Sequence, residues 1–288
     1  MRFLILGGDG MLGHQLYKRL RASHDTRVTL RENRAAYDSF SLFDSGNAYP
    51  DIDVRDAGRL SSVLTAFGPQ VVINAVGIVK QRADAKTSIP SIEINALLPH
   101  RLAVLCGRSG ARLIHLSTDC IFSGRTGNYS ETSMPDPEDL YGRSKLLGEV
   151  EDSGCLTLRT SIIGPELRRK TGLLEWFLAQ RGTVKGYRGA IFSGFTTLEM
   201  SRIIERVAVE FPEAQGLYHV ASEPINKYEL LKMIKRELNL KVEVVPDDGV
   251  RCDRSLDSSR FRTDFGYTPP AWTQMIEELA ASMREAQP

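Results

Sequence analysis

A glycine-rich turn near the start of the chain constrains the fold more than any other feature. The residues GGDGMLG place Gly7, Gly10 and Gly13 in the spacing G-x-x-G-x-x-G, after the apolar run RFLIL. Glycine permits a sharp turn from strand to helix and lets backbone N–H groups approach a pyrophosphate at the positive end of a helix dipole. The pattern therefore predicts a dinucleotide site at the first strand. A tight turn that binds nothing is the alternative interpretation.

Short β-branched runs alternate with helical patterns through the first half of the chain. The predicted strands RFLILG, RVTLR, QVVINAVG and ARLIHLST are separated by amphipathic stretches near residues 11–22, 57–67 and 95–109. This alternation is typical of an α/β fold with a doubly wound parallel sheet, the Rossmann fold. We expect the dinucleotide-binding domain to span residues 1–164. Residues 165–288 are expected to form mainly a smaller C-terminal substrate-binding lobe, with some segments completing the sheet.

The second half of the chain has fewer regular patterns. Helices are predicted from about Thr197 to Glu210 and from about Lys227 to Leu238, followed by the strand KVEVVP. The aromatic residues Phe192, Phe195 and Trp272 are interpreted as packing residues rather than base-stacking platforms.

Composition and charge exclude several function classes. With a net charge of +1 over 288 residues, the chain offers no electrostatic reason to bind nucleic acid or an anionic membrane. Its longest apolar run, VVINAVGIV, is too short to span a bilayer, and no signal-peptide pattern opens the chain. The four cysteines form no C-x-x-C pair and the five histidines show no metal-ligand spacing. We therefore expect a cytoplasmic protein with free thiols and no bound metal.

Further candidate cofactor contacts follow the later strands. Asp53 and Val54 end the predicted third strand, where a carboxylate and an apolar wall could hold an adenine. Asp53 could equally cap a helix. Small residues after the fourth strand leave room for the adenosine half of the cofactor. These residues are Asn74, Ala75, Val76 and Gly77.

Arg31 follows the predicted second strand, at a position where an NAD-selective fold often carries an acidic residue. An arginine at this position could bind a 2′-phosphate, which favours NADPH over NADH. A solvated surface arginine is the alternative interpretation. The expected cofactor is therefore NADPH or NADH, with Arg31 favouring NADPH.

The candidate catalytic residues lie in two segments, YGRSK and HLSTDCIF. Tyr141 and Lys145 are four residues apart, which on a helix places both side chains on one face. A nearby lysine ammonium can lower the pKa of a phenol, so that the phenol exchanges a proton with a carbonyl oxygen. Ser117 and Thr118 end a predicted strand, at the edge where open α/β sheets bind ligands. The Tyr–Lys spacing alone occurs in many helices; together with the glycine turn and the Ser–Thr strand end it predicts a carbonyl reductase.

The sequence resembles the extended short-chain dehydrogenases/reductases, and most specifically the dTDP-4-dehydrorhamnose reductase family. The likeness runs through GGDGMLGHQL, DVRD, VVINAVG, LSTDCIF, YGRSKLLGE, LRTSIIG and LDSSRFRTDFGYTPPAW, and covers nearly the whole chain. The resemblance implies that Thr118 hydrogen-bonds the sugar carbonyl oxygen and that Tyr141 donates the proton. It also implies that Lys145 binds the nicotinamide ribose, with Asn95 supporting the lysine and a proton-relay water.

The resemblance and the motifs together give two sets of binding residues. The expected cofactor contacts are Gly7, Asp9, Gly10, Met11, Leu12, Gly13, Arg31, Asp53, Val54, Asn74, Ala75, Val76, Gly77, Asn95, Ser117, Tyr141, Lys145 and Thr160. The expected substrate contacts are Lys80, Thr118, Asp119, Cys120, Tyr141, Ser161, Arg188 and Arg254. Arg188 and Arg254 are included because arginine makes forked contacts with the phosphates of a nucleotide sugar.

The chain departs from the family pattern at two places. The family usually reads S-T-D-Y-V-F, whereas this chain reads S-T-D-C-I-F with Cys120, and Lys80 and Arg82 add positive charge near the site. The expected substrate is therefore a nucleotide-activated keto-deoxysugar whose sugar is left open. A nucleotide-sugar epimerase with retained NAD and a non-catalytic NADP-binding regulatory subunit are the alternatives. The resemblance also implies a homodimer.

Overall fold

The computed structural model describes residues 1–79 and 87–285, and most of its strands lie in one large sheet. The strands of the described residues are β1 (Arg2–Leu6), β2 (Asp25–Thr29), β3 (Ala48–Tyr49), β4 (Val71–Asn74), β5 (Arg112–Thr118), β6 (Cys155–Thr160), β7 (Ile162–Ile163), β8 (Thr183–Phe192), β9 (Phe195–Thr196), β10 (Gly216–His219), β11 (Ile225–Asn226) and β12 (Glu243–Asp253). Seven of them form the large sheet, in the order β3-β2-β1-β4-β5-β6-β10. Every pairing in it is parallel.

Helices cover both faces of this sheet. The α-helices of the described residues are α1 (Gly13–Leu20), α2 (Ala57–Phe67), α3 (Ser88–Ser91), α4 (Leu98–Ser109), α5 (Leu140–Leu147), α6 (Leu173–Leu178), α7 (Thr197–Glu210), α8 (Lys227–Glu237), α9 (Ser259–Asp264) and α10 (Trp272–Glu285). A π-helical turn, Ile92–Leu97, precedes α4, and Arg34–Phe40 and Asp119–Ile121 are 3₁₀-helical. None of the helices in the described residues has the length and apolar character needed to cross a membrane.

The alternation of side chains along β1 shows how the sheet separates two cores. Phe3 and Ile5 belong to one buried cluster, whereas Leu4 and Leu6 belong to another on the opposite face. Successive side chains of a strand point to opposite faces, so an apolar run such as RFLIL is stable only where both faces are covered. The doubly wound parallel sheet expected from the sequence is confirmed.

The order of the strands places a crevice between β1 and β4. From β1 the chain proceeds outward through α1 to β2 and β3, then crosses back through α2 to β4 on the other side of β1. At such a point the two connections leave the sheet in opposite directions and open a crevice at the carboxyl ends of the strands. Ligands of open α/β sheets bind in this crevice.

A second, smaller sheet accompanies the large one. It has the order β11-β8-β12, with β8 parallel to β12 and antiparallel to β11. β10 lies between β8 and β12 in sequence, yet it pairs with β6 in the large sheet. Part of the C-terminal half therefore completes the first sheet, while the boundary at residue 164 stays a prediction.

Two predicted elements differ from the structure. Asp53 and Val54 do not end the third strand, because β3 stops at Tyr49 and Asp51 has a φ of +56° that interrupts the extended backbone. The predicted strand KVEVVP begins at Glu243 and continues as β12 as far as Asp253, because residues on both sides of an irregularity between Asp247 and Arg251 pair with β8. By contrast, α2 and α7 begin and end at the predicted residues.

The glycine turn after β1 is tightly packed. Gly7 has a φ of +80°, and a Cβ on Gly13 would lie 2.0 Å from the Gly7 carbonyl oxygen. The backbone of α1 therefore approaches the end of β1 more closely than any side chain would allow.

We expect Gly13→Ala to lower the free energy of unfolding, by roughly 1–3 kcal/mol, because the new methyl group overlaps backbone that cannot move freely. Gly107→Ala is the matched control, since Gly107 lies on the exposed face of α4 with nothing within 4 Å of its added Cβ. That control should stabilise the protein by up to about 1 kcal/mol. Urea unfolding measures both, and an equal response of the two variants would contradict the packing argument.

Candidate active site

A cleft of about 510 Å³ opens at the carboxyl edge of the large sheet. Residues that follow or end β1, β4, β5 and β6 line one side, and residues of β8, β12 and the start of α8 line the other. The cleft therefore lies at the crevice that the strand order creates, between the large sheet and the smaller one.

The structure brings most of the residues predicted from the sequence into this cleft. Those that line it are Asp9, Gly10, Met11, Leu12, Ala75, Val76, Gly77, Ser117, Thr118, Asp119, Cys120, Tyr141, Lys145, Thr160, Ser161 and Arg254. Their roles in binding and catalysis stay predictions.

Helix α5 carries Tyr141 and Lys145 into the cleft. The Asp139 side chain caps this helix by accepting a hydrogen bond of 2.7 Å from the Gly142 N–H. A Cβ on Gly142 would lie 2.2 Å from the carbonyl oxygen of Cys120, so glycine lets the helix lie against the segment after β5. Tyr141 is thereby held beside Thr118, the last residue of β5.

Burial determines the protonation of Tyr141. Burial raises the pKa of the Tyr141 phenol well above its usual value, and the neighbouring Cys120 raises it further, whereas a hydrogen bond with Thr118 lowers it. From the sequence we expect Lys145 to lower this pKa; in the structure burial outweighs the lowering effect of the Thr118 hydrogen bond, and the net shift of the pKa is upward. Tyr141 is a neutral phenol at neutral pH and can donate a proton.

Lys145 is directed at the backbone of β5. Its Nζ donates a hydrogen bond of 2.5 Å to the Leu116 carbonyl oxygen and lies 3.5 Å from His115 Nε2. Burial lowers the pKa of Lys145 to about 8, against an opposing contribution from Glu149. The lysine can therefore gain or lose a proton near neutral pH, as a group that relays protons must.

A buried ion pair lies behind these residues. Arg159 and Glu149 form a fork with N–O distances of 2.7 and 2.9 Å, and their side chains are 6% and 7% exposed. The Ser117 hydroxyl donates a hydrogen bond of 2.6 Å to Glu149, and Arg159 also contacts His219. Arg159 lies within β6, where it neutralises Glu149.

Asn95 and Asn74 are buried and do not line the cleft. The Asn95 amide accepts a hydrogen bond of 2.8 Å from the Ile78 N–H, donates one of 2.9 Å to the Ile78 carbonyl, and donates another to Ser144 on α5. Asn74 contacts His115 and accepts from the backbone N–H two residues ahead. Both amides position the backbone in this structure, and direct contact of either residue with the cofactor stays a prediction.

Several other predicted residues do not line the cleft. Arg188 pairs with Asp248 and its side chain is half exposed, and Asp53 pairs with Arg55 at 2.5 Å. Lys80 lies outside the described residues. The remaining predicted contacts that do not line the cleft are Gly7, Gly13, Arg31 and Val54. The glycines pack beneath the turn, whereas Arg31 is exposed beyond the end of β2.

Several residues that line the cleft were not predicted from the sequence. Lys227 lines it at the start of α8, with Nζ 4.7 Å from the Trp176 ring centroid and 5.4 Å from that of Tyr187. Arg168 and Arg169 line it from the segment after β7. The run ELRRK could have drawn attention to the arginines, whereas nothing local to Lys227 indicates its position.

Within the described residues, no group of His, Cys, Asp and Glu side chains could hold a metal ion.

Comparison with known protein families identifies the family of this chain. A family model described as the RmlD substrate binding domain matches residues 1–174, more than half of the chain. The chain belongs to this family. The resemblance to extended short-chain reductases of the dTDP-4-dehydrorhamnose reductase type is thereby confirmed.

Relatives of this chain carry two kinds of name. It is similar to the dTDP-4-dehydrorhamnose reductase of Aggregatibacter actinomycetemcomitans, with 25% identity over 306 residues, covering 97% of this chain and 98% of that protein. It is also similar to methionine adenosyltransferase 2 subunit beta of Danio rerio, with 27% identity, covering 83% of this chain and 74% of that protein.

Among solved structures, that of dTDP-4-dehydrorhamnose reductase from Bacillus anthracis in complex with NADP has the same fold. It gives a TM-score of 0.77 at 22% identity, covering 98% of this chain and 99% of that chain. This likeness extends over both sheets of the molecule.

The lowered pKa of Lys145 predicts a pH-dependent stability. Between its folded value of about 8 and its ordinary value of 10.5, the unfolded chain holds a proton that the folded protein does not. Raising the pH through this window therefore stabilises the folded wild type, by about 1.4 kcal/mol for each pH unit at most. Relative to Lys145→Met, the wild type should gain roughly 2 kcal/mol between about pH 7 and 9.5.

Urea unfolding of both proteins at the two pH values measures this gain. The control is Lys232→Met, which removes a lysine from the exposed face of α8 and is expected to follow the wild type. Parallel pH profiles for the wild type and Lys145→Met would show that Lys145 keeps its ordinary pKa when the protein folds.

Proposed function

We propose that this chain is an NADPH- or NADH-dependent reductase of a nucleotide-activated keto-deoxysugar, similar to dTDP-4-dehydrorhamnose reductase. The observation that carries the proposal is the meeting of Thr118, Tyr141 and Lys145 with the glycine turn in one cleft. Family membership and the reductase names among the relatives support it.

The residues at the start of α1 fit the pyrophosphate of a dinucleotide. No side chain caps this helix, and its first turn carries no acidic residue. The His14 N–H donates to the Gly10 carbonyl oxygen at 3.2 Å. The Gly13 N–H and the helix dipole remain available to an anion, and Gly10 lets the anion approach the backbone. The nicotinamide supplies a hydride when it is bound.

Three side chains of this chain serve the carbonyl that accepts the hydride. The Tyr141 hydroxyl donates its proton to the carbonyl oxygen as negative charge develops there. Thr118 hydrogen-bonds the same oxygen, consistent with its contact to Tyr141. Lys145, whose pKa lies near 8, returns a proton toward the phenol when the tyrosine has given its own away.

Cationic side chains on the other wall of the cleft suit a nucleotide diphosphate. Arg254 lines the cleft, is fixed by a hydrogen bond of 2.7 Å from its Nε to the Phe122 carbonyl, and lies 4.0 Å from the Cys120 thiol. Lys227 lies farther along the same wall, and burial lowers its pKa. We assign the phosphates of the sugar nucleotide to Arg254 and Lys227, and the sugar to the space beside Cys120.

A regulatory subunit is the second candidate, favoured by the relatives named methionine adenosyltransferase 2 subunit beta. The presence of Thr118, Tyr141 and Lys145 in one cleft favours the reductase. An epimerase with the same residues would retain its NAD and show no net consumption of the cofactor.

The homodimer and the cytoplasmic location stay predictions. Exposed apolar side chains on neighbouring helices support an association of two copies. They are Ile92, Leu97, Val104 and Leu147, on the π-helical turn, α4 and α5.

The principal test is turnover of a panel of nucleotide-linked 4-keto-6-deoxysugars with NADPH and with NADH, with products identified by NMR. We expect Tyr141→Phe to reduce kcat by roughly 10²–10⁴-fold because the proton donor is lost, while NADPH affinity stays nearly unchanged. Tyr228→Phe, a tyrosine outside the cleft, is the control and should keep full activity.

Wild-type protein that oxidises neither cofactor with any sugar of the panel would reject the reductase. Co-purification of a partner enzyme would then favour the regulatory subunit, and tightly retained NAD would favour the epimerase.

Two arginines chosen from the sequence now differ in their expected effect on substrate binding. Arg254→Gln should raise KM for the nucleotide sugar by roughly ten- to a hundredfold, because a hydrogen bond to a charged phosphate contributes about 1.5–3 kcal/mol. Arg188→Gln should change KM by about twofold or less, as is usual for surface substitutions. Steady-state kinetics with the best sugar of the panel measures both, and a larger effect at Arg188 would reverse the assignment.

A further inference from the structure

The segment between β7 and α6 crosses the cleft toward the glycine turn. We call residues 165–171 the strap. Glu166 holds its two ends together: its carboxylate accepts hydrogen bonds of 2.5 Å from the Thr171 N–H and 3.3 Å from the Gly172 N–H. Leu167 packs against the main core, which fixes the strap on the side facing the protein. The backbone that carries Arg168 is therefore held in place.

Arg168 ends beside a buried tyrosine near the end of β2. Its Cζ lies 5.0 Å from the centroid of the Tyr37 ring, a distance typical of a cation–π contact. Tyr37 is 1% exposed, and its hydroxyl donates a hydrogen bond of 3.1 Å to Asp9 and accepts one of 3.2 Å from the Glu32 N–H. Arg168 is thus placed where the glycine turn and the end of β2 meet.

In a doubly wound fold, the adenosine half of a dinucleotide lies where the glycine turn and the end of β2 meet. The pyrophosphate lies at the start of the first helix, and the adenosine ribose extends from there toward the end of β2. A 2′-phosphate on that ribose would come close to the carboxylate of Asp9, so that it requires a neighbouring cation. The guanidinium is the side chain best suited to bind phosphate, and Arg168 lines the same cleft as Asp9.

We propose that Arg168 of the strap binds the 2′-phosphate of NADPH, so that the C-terminal half of the chain, and not only the end of β2, selects the cofactor. The proposal rests on the proposed function only in requiring a dinucleotide in the cleft. Arg31, the cation expected for this task from the sequence, does not line the cleft. Tyr37 holds Arg168 at the ribose end of the site, and the bound phosphate in turn holds the strap over the cofactor.

Calorimetric titration of the full chain with four compounds tests this assignment without any turnover. The compounds are NADPH, NADH, 2′,5′-ADP and 5′-ADP. Arg168→Gln should weaken binding of NADPH and 2′,5′-ADP by roughly tenfold or more, the loss of about one charged hydrogen bond. Binding of NADH and 5′-ADP should change by about twofold or less. Arg168→Lys should recover part of the affinity for the two 2′-phosphorylated compounds, since it keeps the charge but not the fork.

Two further variants serve as controls. Lys170→Gln removes a charge from the same strap, where Lys170 pairs with Glu175 at 2.9 Å, and should leave the preference for the 2′-phosphate unchanged. Arg31→Gln should have a smaller effect than Arg168→Gln. A larger loss of NADPH affinity in Arg31→Gln than in Arg168→Gln would assign the 2′-phosphate to Arg31 at the end of β2 and overturn the proposal.

Equal weakening of NADPH and NADH by Arg168→Gln would also overturn it, because the arginine would then bind the pyrophosphate or only support the strap. So would a wild type that does not prefer 2′,5′-ADP to 5′-ADP, or a variant that binds all four compounds like the wild type. Failure of the reductase is distinguishable: a protein that selects 2′-phosphates through Arg168 but reduces no keto sugar refutes the proposed function and supports this inference.

Discussion

Parallel pairing of all seven strands is the constraint on which the rest of the molecule depends. Because every strand of the large sheet runs in the same direction, each carboxyl end meets the same edge. Residues as distant in sequence as Asp9, Ala75, Thr118 and Thr160 consequently line one cleft. The smaller sheet closes that cleft from the other side, so neither sheet contains a complete site.

Burial shifts the pKa values of the residues that we assign to proton transfer in the cleft. Tyr141 and Lys145 lie one turn apart on α5, and desolvation is the largest cause of both the raised pKa of the tyrosine and the lowered pKa of the lysine. Keeping such groups buried requires partners for every polar atom around them. Arg159 pairs directly with Glu149, and the Ser117 hydroxyl donates to Glu149, so these three residues satisfy one another behind the site. Removing one partner of such a pair leaves an uncompensated buried charge, which is far more destabilising than losing both.

Local patterns in the sequence predicted the features that depend on neighbouring residues along the chain. The helices α2 and α7, the glycine turn, and the common face of Tyr141 and Lys145 all follow from periodicity or spacing. Contacts between distant segments could not be predicted in this way. Arg188 and Arg254 look alike in sequence, yet one meets Asp248 across the small sheet and the other reaches the cleft. Likewise, only the folded chain shows that Asn95 uses its amide on the backbone of Ile78.

The path of the chain between its two sheets affects how this protein can change over evolutionary time. After β6 the chain leaves the large sheet to form β8, returns to add β10 beside β6, and leaves again to form β12. No single cut separates the two sheets, so the smaller one cannot be exchanged as a module between relatives by joining gene fragments. New substrate specificity must instead arise through substitutions of single residues, while both sheets are inherited together.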